Sequence, residues 1–265
     1  MHRKPRQSNN ANRDKLQGYM SEPQRAAVVL AAGKGKRMKS DLPKVLHPIH
    51  DRPMVQILLD TLRKMSFDRI AVVIGHKGEM VEKALADYPI DFVWQREQLG
   101  TGHAVMMAEP QLEDFEGTIL IAAGDVPFLS EASINKLFEI HEYTGAAATC
   151  LSAVVDDPTG YGRIVRIEGT DRMAGIVEHK DADDDIRQIR EINTGTLCFD
   201  ARTLFETLHL LKNDNVQGEY YLTDCVKILH GQGKTVSVVC ADSSDEVLGV
   251  NSIEQLKDLE RRFTS

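Results

Sequence analysis

The chain is poor in cysteine, has a single tryptophan and carries no long apolar run. Cys150, Cys198, Cys225 and Cys240 lie far apart, with no CxxC pair and no Cys/His spacing of the kind that holds zinc. This pattern excludes a disulfide framework and a structural zinc site, and implies reduced, cytoplasmic cysteine use. No apolar stretch approaches the roughly 18 residues that a membrane span needs, so no membrane partner is expected. Positive charge is also short: 32 Lys and Arg against 40 Asp and Glu leave a formal net charge of −8. A general nucleic-acid binder needs a basic footprint, so no nucleic-acid partner is expected either.

What is present is ordinary for a globular protein, with 42% hydrophobic and 27% charged residues. A chain of 265 residues can bury a sizeable core without staples. Residues 1–24 are polar and mostly basic and lack the apolar centre of a secretory signal. They are expected to form a disordered tail, with Met20 as a later start. Residues 25–265 then form one domain.

Residues 26–32 (AAVVLAA), 69–74 (RIAVVI) and 118–123 (TILIAA) are short apolar runs of the kind found in strands buried on both faces. A further strand is expected at 91–94. Helical periods fall at 53–65, 78–86 and 101–108, and Ser130 is a suitable N-cap for a helix burying Ile134, Leu137, Phe138 and His141. Alternating strands and helices predict parallel pairing with right-handed crossovers. Beyond residue 145 the rhythm changes. Strands at 146–155, 163–167, 174–177 and 191–199 follow without helices between them, the second and third joined by a turn at 168–171. Helices are expected at 201–212, 219–230 and 252–262, with a strand at 235–240. The expected fold is α/β and Rossmann-like, a mostly parallel sheet flanked by helices with a β-rich insertion.

The turn after the first strand reads Leu30-Ala31-Ala32-Gly33-Lys34-Gly35-Lys36-Arg37-Met38, followed by Pro43-Lys44. A glycine-rich turn leaving a buried strand lets backbone N–H groups approach phosphate oxygens. Lys34, Lys36, Arg37 and Lys44 are four of the five cations within residues 30–44 of an otherwise acidic chain. This reversal of charge points to an anionic ligand. The segment is neither a GxxxxGK[ST] loop nor a GxGxxG fingerprint, since Met38 stands at the third glycine. Taken alone, it also reads as a solvated basic loop. Gly124-Asp125-Val126-Pro127 ends another strand. A carboxylate there suits a Mg²⁺ site completed by phosphates and water, and equally suits a plain turn.

These two segments, with Gln95-x-x-Gln98-Leu99-Gly100-Thr101-Gly102-His103-Ala104, resemble the nucleotidyltransferases that activate sugar phosphates. Further matches are Gly160-Tyr161-Gly162-Arg163, Val177-Glu178-His179-Lys180, Glu191-Ile192-Asn193-Thr194-Gly195, Gln217-Gly218-Glu219-Tyr220-Tyr221-Leu222-Thr223-Asp224 and Gly249-Val250-Asn251. Their order and spacing are similar to the uridyltransferase half of bacterial N-acetylglucosamine-1-phosphate uridyltransferases, from about residue 26 to 262.

The resemblance implies a site and a reaction. Leu30, Ala31, Ala32 and Gly33, with Gly124, would wrap the nucleotide. Gln95, Gly100 and Thr101 would recognise uracil. Arg37, Lys44 and Asp125 would be catalytic, with Asp125 and Asn251 holding Mg²⁺. Gly162, Glu178, Asn193, Tyr221 and Thr223 would hold the sugar. The substrates would be UTP and a sugar 1-phosphate, with N-acetylglucosamine 1-phosphate leading and other sugars, other nucleotides and a non-catalytic paralogue left open. Two departures matter. The left-handed β-helix domain that acetylates glucosamine 1-phosphate and builds trimers has no counterpart in this chain, so acetyl transfer is not expected and a monomer is. Ala123 stands where the family often has tyrosine, which implies altered ribose or sugar packing. His103 is expected only to cap or pack the helix it begins.

Overall fold

The computed structural model describes residues 23–263. The expected tail and Met20 therefore lie outside the described residues, except for Pro23 and Gln24 at the tail's edge. Gln24 is already tied to the domain, its carbonyl accepting from Thr118 N at 3.0 Å.

The first strand, β1 (Arg25–Leu30), is followed by two single 3₁₀ turns, Lys36–Met38 and Lys44–Leu46, and by a small antiparallel ribbon of β2 (Pro48–Ile49) and β3 (Arg52–Pro53). Then come α1 (Met54–Arg63), β4 (Arg69–Ile74), α2 (Gly78–Ala84), β5 (Asp91–Trp94), α3 (Thr101–Met106), α4 (Glu109–Leu112), β6 (Thr118–Ala123) and α5 (Glu131–Thr144). The second half comprises β7 (Ala148–Val154), β8 (Arg163–Arg166), β9 (Met173–Val177), α6 (Asp184–Arg187), β10 (Glu191–Asp200), α7 (Ala201–Leu208), α8 (Asp224–Gly231), β11 (Val236–Cys240) and α9 (Ile253–Arg262).

The main sheet runs β11-β7-β10-β6-β1-β4-β5, with the β8–β9 hairpin attached through β10. Pairing is parallel between β6, β1, β4 and β5 and between β7 and β11, while β10 runs antiparallel to both of its neighbours. β1 lies at the centre of the parallel half, which explains its unbroken apolar run. Its side chains alternate: Ala26 and Val28 join the core on one face, Ala27 and Val29 the core on the other. The first core is closed by α3, α7 and α8 and the second by α1, α2 and α5.

A third, smaller core positions the site. Val250, in the loop before α9, and Leu256 and Leu259, on the helix's buried face, pack on Met38, Ile49 and Met54. Phe263 stacks on Phe128 at 3.8 Å between centroids. The C-terminal helix thereby clamps the basic loop that follows β1.

Most expected elements are present within a few residues. Ser130 caps α5, accepting from Ser133 N at 3.1 Å, and Gly169 turns the β8–β9 hairpin at φ 71°. Two readings need correction. The helix expected at 219–230 is α8 alone (Asp224–Gly231). Residues 220–222 have their backbone committed elsewhere: Tyr220 N donates to Leu99 O, Tyr220 O accepts from Gly102 N, and Leu222 N donates to Thr101 Oγ1. The stretch between β9 and β10 also holds a helical turn, α6, capped by Asp183 accepting from Ile186 N at 2.8 Å.

Candidate active site

Ligands of open parallel sheets bind beyond the carboxyl ends of the strands, and most of the expected residues converge there. Leu30 O accepts from Gly124 N at 2.9 Å, joining the ends of β1 and β6. Ala31 N donates to Val73 O at 2.8 Å, joining β1 to β4. Leu30, Ala31, Ala32 and Gly33 thus form a backbone ledge between two strands. Gly35 is required twice over. Its φ is 55°, and a Cβ there would lie 2.7 Å from Lys44 Cβ. That contact brings the two basic segments together.

At the mouth of β6, the Lys44 ammonium donates to the Asp125 carboxylate and, at 2.7 Å, to Asn251 Oδ1. Arg37 Nη2 donates to the same Asn251 oxygen at 2.8 Å. The Lys44 and Asp125 side chains are only 16% and 18% exposed, so their charges act through less water than at a surface. Asn251 is held by the α9 cap, in which its N–H donates to Gln255 Oε1 at 2.7 Å and Ser252 Oγ accepts from Gln255 N at 3.2 Å. Val250 N donates to Asp125 O at 2.9 Å, which fixes the loop before α9 to the loop after β6.

The residues expected to meet the base lie at the ends of β4 and β5 and the start of α3. Gln95 is buried, its Nε2 donating to Gly100 O at 3.0 Å. Gly100 has φ 114°, and a Cβ there would lie 2.5 Å from Tyr220 O. Thr101 Oγ1 accepts from Leu222 N at 3.1 Å, so this hydroxyl braces the loop that carries Tyr221 and Thr223.

The residues expected to meet the sugar also assemble. Gly162 O accepts from Asn193 N at 2.8 Å, and a Cβ on Gly162 would stand 3.4 Å from Glu178 Oε1. Thr223 Oγ1 donates to Glu178 Oε1 at 3.0 Å. Burial raises the Glu178 carboxyl above its usual range, with Thr223 opposing the shift. Asn193 Oδ1 accepts from Gly195 N at 3.0 Å and from the Cys150 thiol at 3.4 Å, so its amide hydrogens are not spent on these contacts. Tyr221 is buried, with its hydroxyl accepting from Gln217 Nε2 at 2.8 Å and its pKa pushed up to about 12 by burial.

The family model that matches is the MobA-like NTP transferase domain, over residues 27–191. The chain belongs to that family. The chain is 50% identical over 236 residues to the Bifunctional protein GlmU of Shouchella clausii, covering 89% of this chain and 52% of the relative. It is 51% identical over 234 residues to that of Brevibacillus brevis, covering 88% and 50%. The chain spans about half the length of these curated relatives. Among solved structures, a UDP-glucose pyrophosphorylase complexed with UDP-glucose superposes with a TM-score of 0.71 at 16% identity, covering 91% of this chain and 98% of that one. HddC from Yersinia pseudotuberculosis complexed with GMP-PN gives 0.68 at 20% identity, covering 90% and 99%. The nucleotidyltransferase fold is shared with both.

Two residues that lie inside the matching motifs, but to which no role was assigned from them, also take part in the site. Tyr161 is one. Its hydroxyl reaches Gly249 O at 3.4 Å, and burial raises its pKa, with the Asp125 charge adding and Arg37 opposing. It therefore walls the Asp125–Asn251 cluster. Glu191 is another. Arg166 binds it in a fork at 2.6 and 2.7 Å and Ser152 donates to it at 2.5 Å, tying the β8–β9 hairpin to the sheet. Neither role has a local signal in the sequence, because each partner lies far along the chain. A cavity of about 610 Å³ lies beside the sugar end and shares Glu178 and Tyr221 with it. No helix among the described residues is long and apolar enough to cross a membrane.

Proposed function

We propose that this domain transfers UMP from UTP to N-acetyl-α-D-glucosamine 1-phosphate, giving UDP-N-acetylglucosamine and pyrophosphate. The observation that carries the reading is the convergence of Lys44, Arg37, Asp125 and Asn251 between the Gln95 end and the Glu178–Asn193 end. About 50% identity to the matching half of the GlmU proteins supports the choice of substrates.

An oxygen of the sugar phosphate attacks the α-phosphorus of UTP, and the bond to the leaving pyrophosphate breaks in line. The attacking oxygen is already ionised, so no strong general base is required. The protein has to bring two polyanions together and offset their repulsion. Arg37 and Lys44 hold phosphate oxygens and stabilise the charge that builds on the leaving group. Glu178, held by Thr223, accepts from sugar hydroxyls, and the amide of Asn193 donates to one. Leu30 to Gly33 and Gly124 line the nucleotide with backbone, while Gln95, Gly100 and Thr101 take the base.

A divalent cation fits this donor set. Asp125 and Asn251 turn two hard oxygens onto one cation, the Lys44 ammonium. Among the described residues no group of three His, Cys, Asp or Glu side chains forms a protein-only site. Two protein oxygens would leave the remaining positions of such an ion to phosphates and water, as Mg²⁺ prefers. Asp125 and Asn251 would hold the ion, which would neutralise charge on the reacting phosphates.

A second sugar stays in view because of Ala123. Its Cβ lies 3.6 Å from where a Gly195 side chain would begin, so the residue that replaces the family's usual tyrosine stands beside the turn that carries Asn193.

The test is pyrophosphate release from UTP and Mg²⁺ across a panel of sugar 1-phosphates. Release with N-acetylglucosamine 1-phosphate well ahead of the rest supports the proposal. A different preferred sugar keeps the chemistry and overturns the substrate. Silence across the panel with UTP still bound contradicts catalysis.

A further inference from the structure

Gln95 is 3% exposed, and its amide is gripped through nitrogen on two sides. Nε2 lies 3.0 Å from Gly100 O and 3.0 Å from His103 Nδ1. A carbonyl oxygen can only accept, so the group facing Gly100 must be the amide NH₂ and not its oxygen. The second amide hydrogen then meets His103 Nδ1, which must present its lone pair and leave the ring proton on Nε2. Both hydrogens of Gln95 are spent. What remains is Oε1, an acceptor, to which no hydrogen bond is formed among the described residues.

We propose that His103 is a positioning residue for base selection: it locks the Gln95 amide so that the site offers the base an acceptor and never a donor. This rests on the assignment of Gln95 to the base. Uracil carries a hydrogen on N3, whereas N3 of cytosine carries a lone pair. A fixed acceptor bonds the first and opposes the second. An amide free to turn by half a rotation would serve both, so the lock supplies the repulsive half of the discrimination.

The grip is itself rigid. His103 stands in α3, whose first residues are pinned to the loop before α8 by Gly102 N donating to Tyr220 O at 2.8 Å and by Leu222 N donating to Thr101 Oγ1 at 3.1 Å. The Tyr220 ring lies 6.5 Å from the imidazole centroid. The positive φ of Gly100 turns its carbonyl toward Gln95, and no other residue fits there without meeting Tyr220.

The experiment compares kcat and KM for UTP and CTP in the wild type, His103→Leu, His103→Asn and Gln95→Ala. Asparagine carries its Oδ1 close to where Nδ1 stands and can still accept, whereas leucine fills the space and cannot. The inference expects His103→Leu to lower the UTP-over-CTP preference about tenfold, through KM, with kcat within about threefold. It expects His103→Asn to retain most of the preference. Undiminished preference in His103→Leu, or equal loss in His103→Asn, overturns it. His103→Ala gives the same comparison should leucine disturb packing. Gln95→Ala separates the two layers. Loss of preference there with none in His103→Leu removes the lock alone. Retained preference in Gln95→Ala removes the base assignment and the lock with it.

Discussion

Lys44 Nζ lies 2.7 Å from Asn251 Oδ1, a contact across 207 positions of sequence. The same ammonium donates to Asp125, so one cation sits between the two oxygens assigned to a metal. A metal ion taken up at that point has to displace the Lys44 ammonium, which then becomes available to a phosphate oxygen. The basic loop after β1, the end of β6 and the start of α9 are thereby one electrostatic unit.

Asp125→Ala and Lys44→Met each remove one member of that unit without touching the main cores. Each is expected to lower turnover by a factor on the order of 10²–10³, with the thermal melt little changed. Chelation by EDTA should abolish pyrophosphate release and added Mg²⁺ restore it. Near-normal activity of Asp125→Ala in Mg²⁺ would count against the metal assignment.

Gly100 turns the chain at φ 114° directly against Tyr220. Gly100→Ala adds backbone strain and a clash with a carbonyl that is itself hydrogen-bonded to Gly102. The expected loss is about 1–3 kcal/mol in urea unfolding, together with a raised KM for UTP. Unchanged stability and KM would mean that this turn relaxes freely.

The Arg166–Glu191–Ser152 network holds the β8–β9 hairpin on the sheet. Burial pushes the Glu191 carboxyl up, but hydrogen bonds from Arg166 and Ser152 and the Arg166 charge overcome it and hold the pKa below the usual range. Its contribution to stability is therefore present above the pKa of an unfolded glutamate and is lost as pH falls through the lowered value. Arg166→Met leaves a largely buried carboxylate short of its partner, expected to cost about 1–3 kcal/mol at neutral pH, less than a fully buried pair because Arg166 is partly exposed. Equal stability of this variant and the wild type from pH 7 to pH 4 would contradict the role.

His141 is buried in α5, with Nδ1 3.0 Å from Thr149 Oγ1. Burial lowers its pKa from 6.5 to about 4, against the opposing charges of Asp200 and Glu142. An unfolded histidine takes up its proton near 6.5, so stability is full above that value and falls as pH drops toward 4. The loss attributable to this residue is on the order of 3 kcal/mol. His141→Gln should flatten the dependence of unfolding free energy between pH 6.5 and pH 4 relative to the wild type. Parallel curves would show that His141 does not set it.

The parallel half of the sheet was readable because strands covered on both faces must be apolar throughout, as 26–30, 70–74 and 119–123 are. The site residues were readable only as separate short motifs. What joins them was not, since Lys44 to Asn251, Tyr161 to Gly249 and Gln95 to His103 depend on the tertiary path. The false helical start at Glu219 has the same origin. Side-chain period favours helix there, but the Tyr220 and Leu222 backbones bond to a loop about 120 residues earlier. His103 looked like a helix-packing residue because nothing local reveals which nitrogen the Gln95 amide meets.

The most direct test of the account is ³¹P NMR of the enzyme with UTP, N-acetylglucosamine 1-phosphate and Mg²⁺, run beside Asp125→Ala. The account predicts a new sugar-linked diphosphate and free pyrophosphate in equal amounts with the wild type, and neither on the same timescale with the variant. Orthophosphate in place of the sugar diphosphate, or equal product from Asp125→Ala, would contradict it.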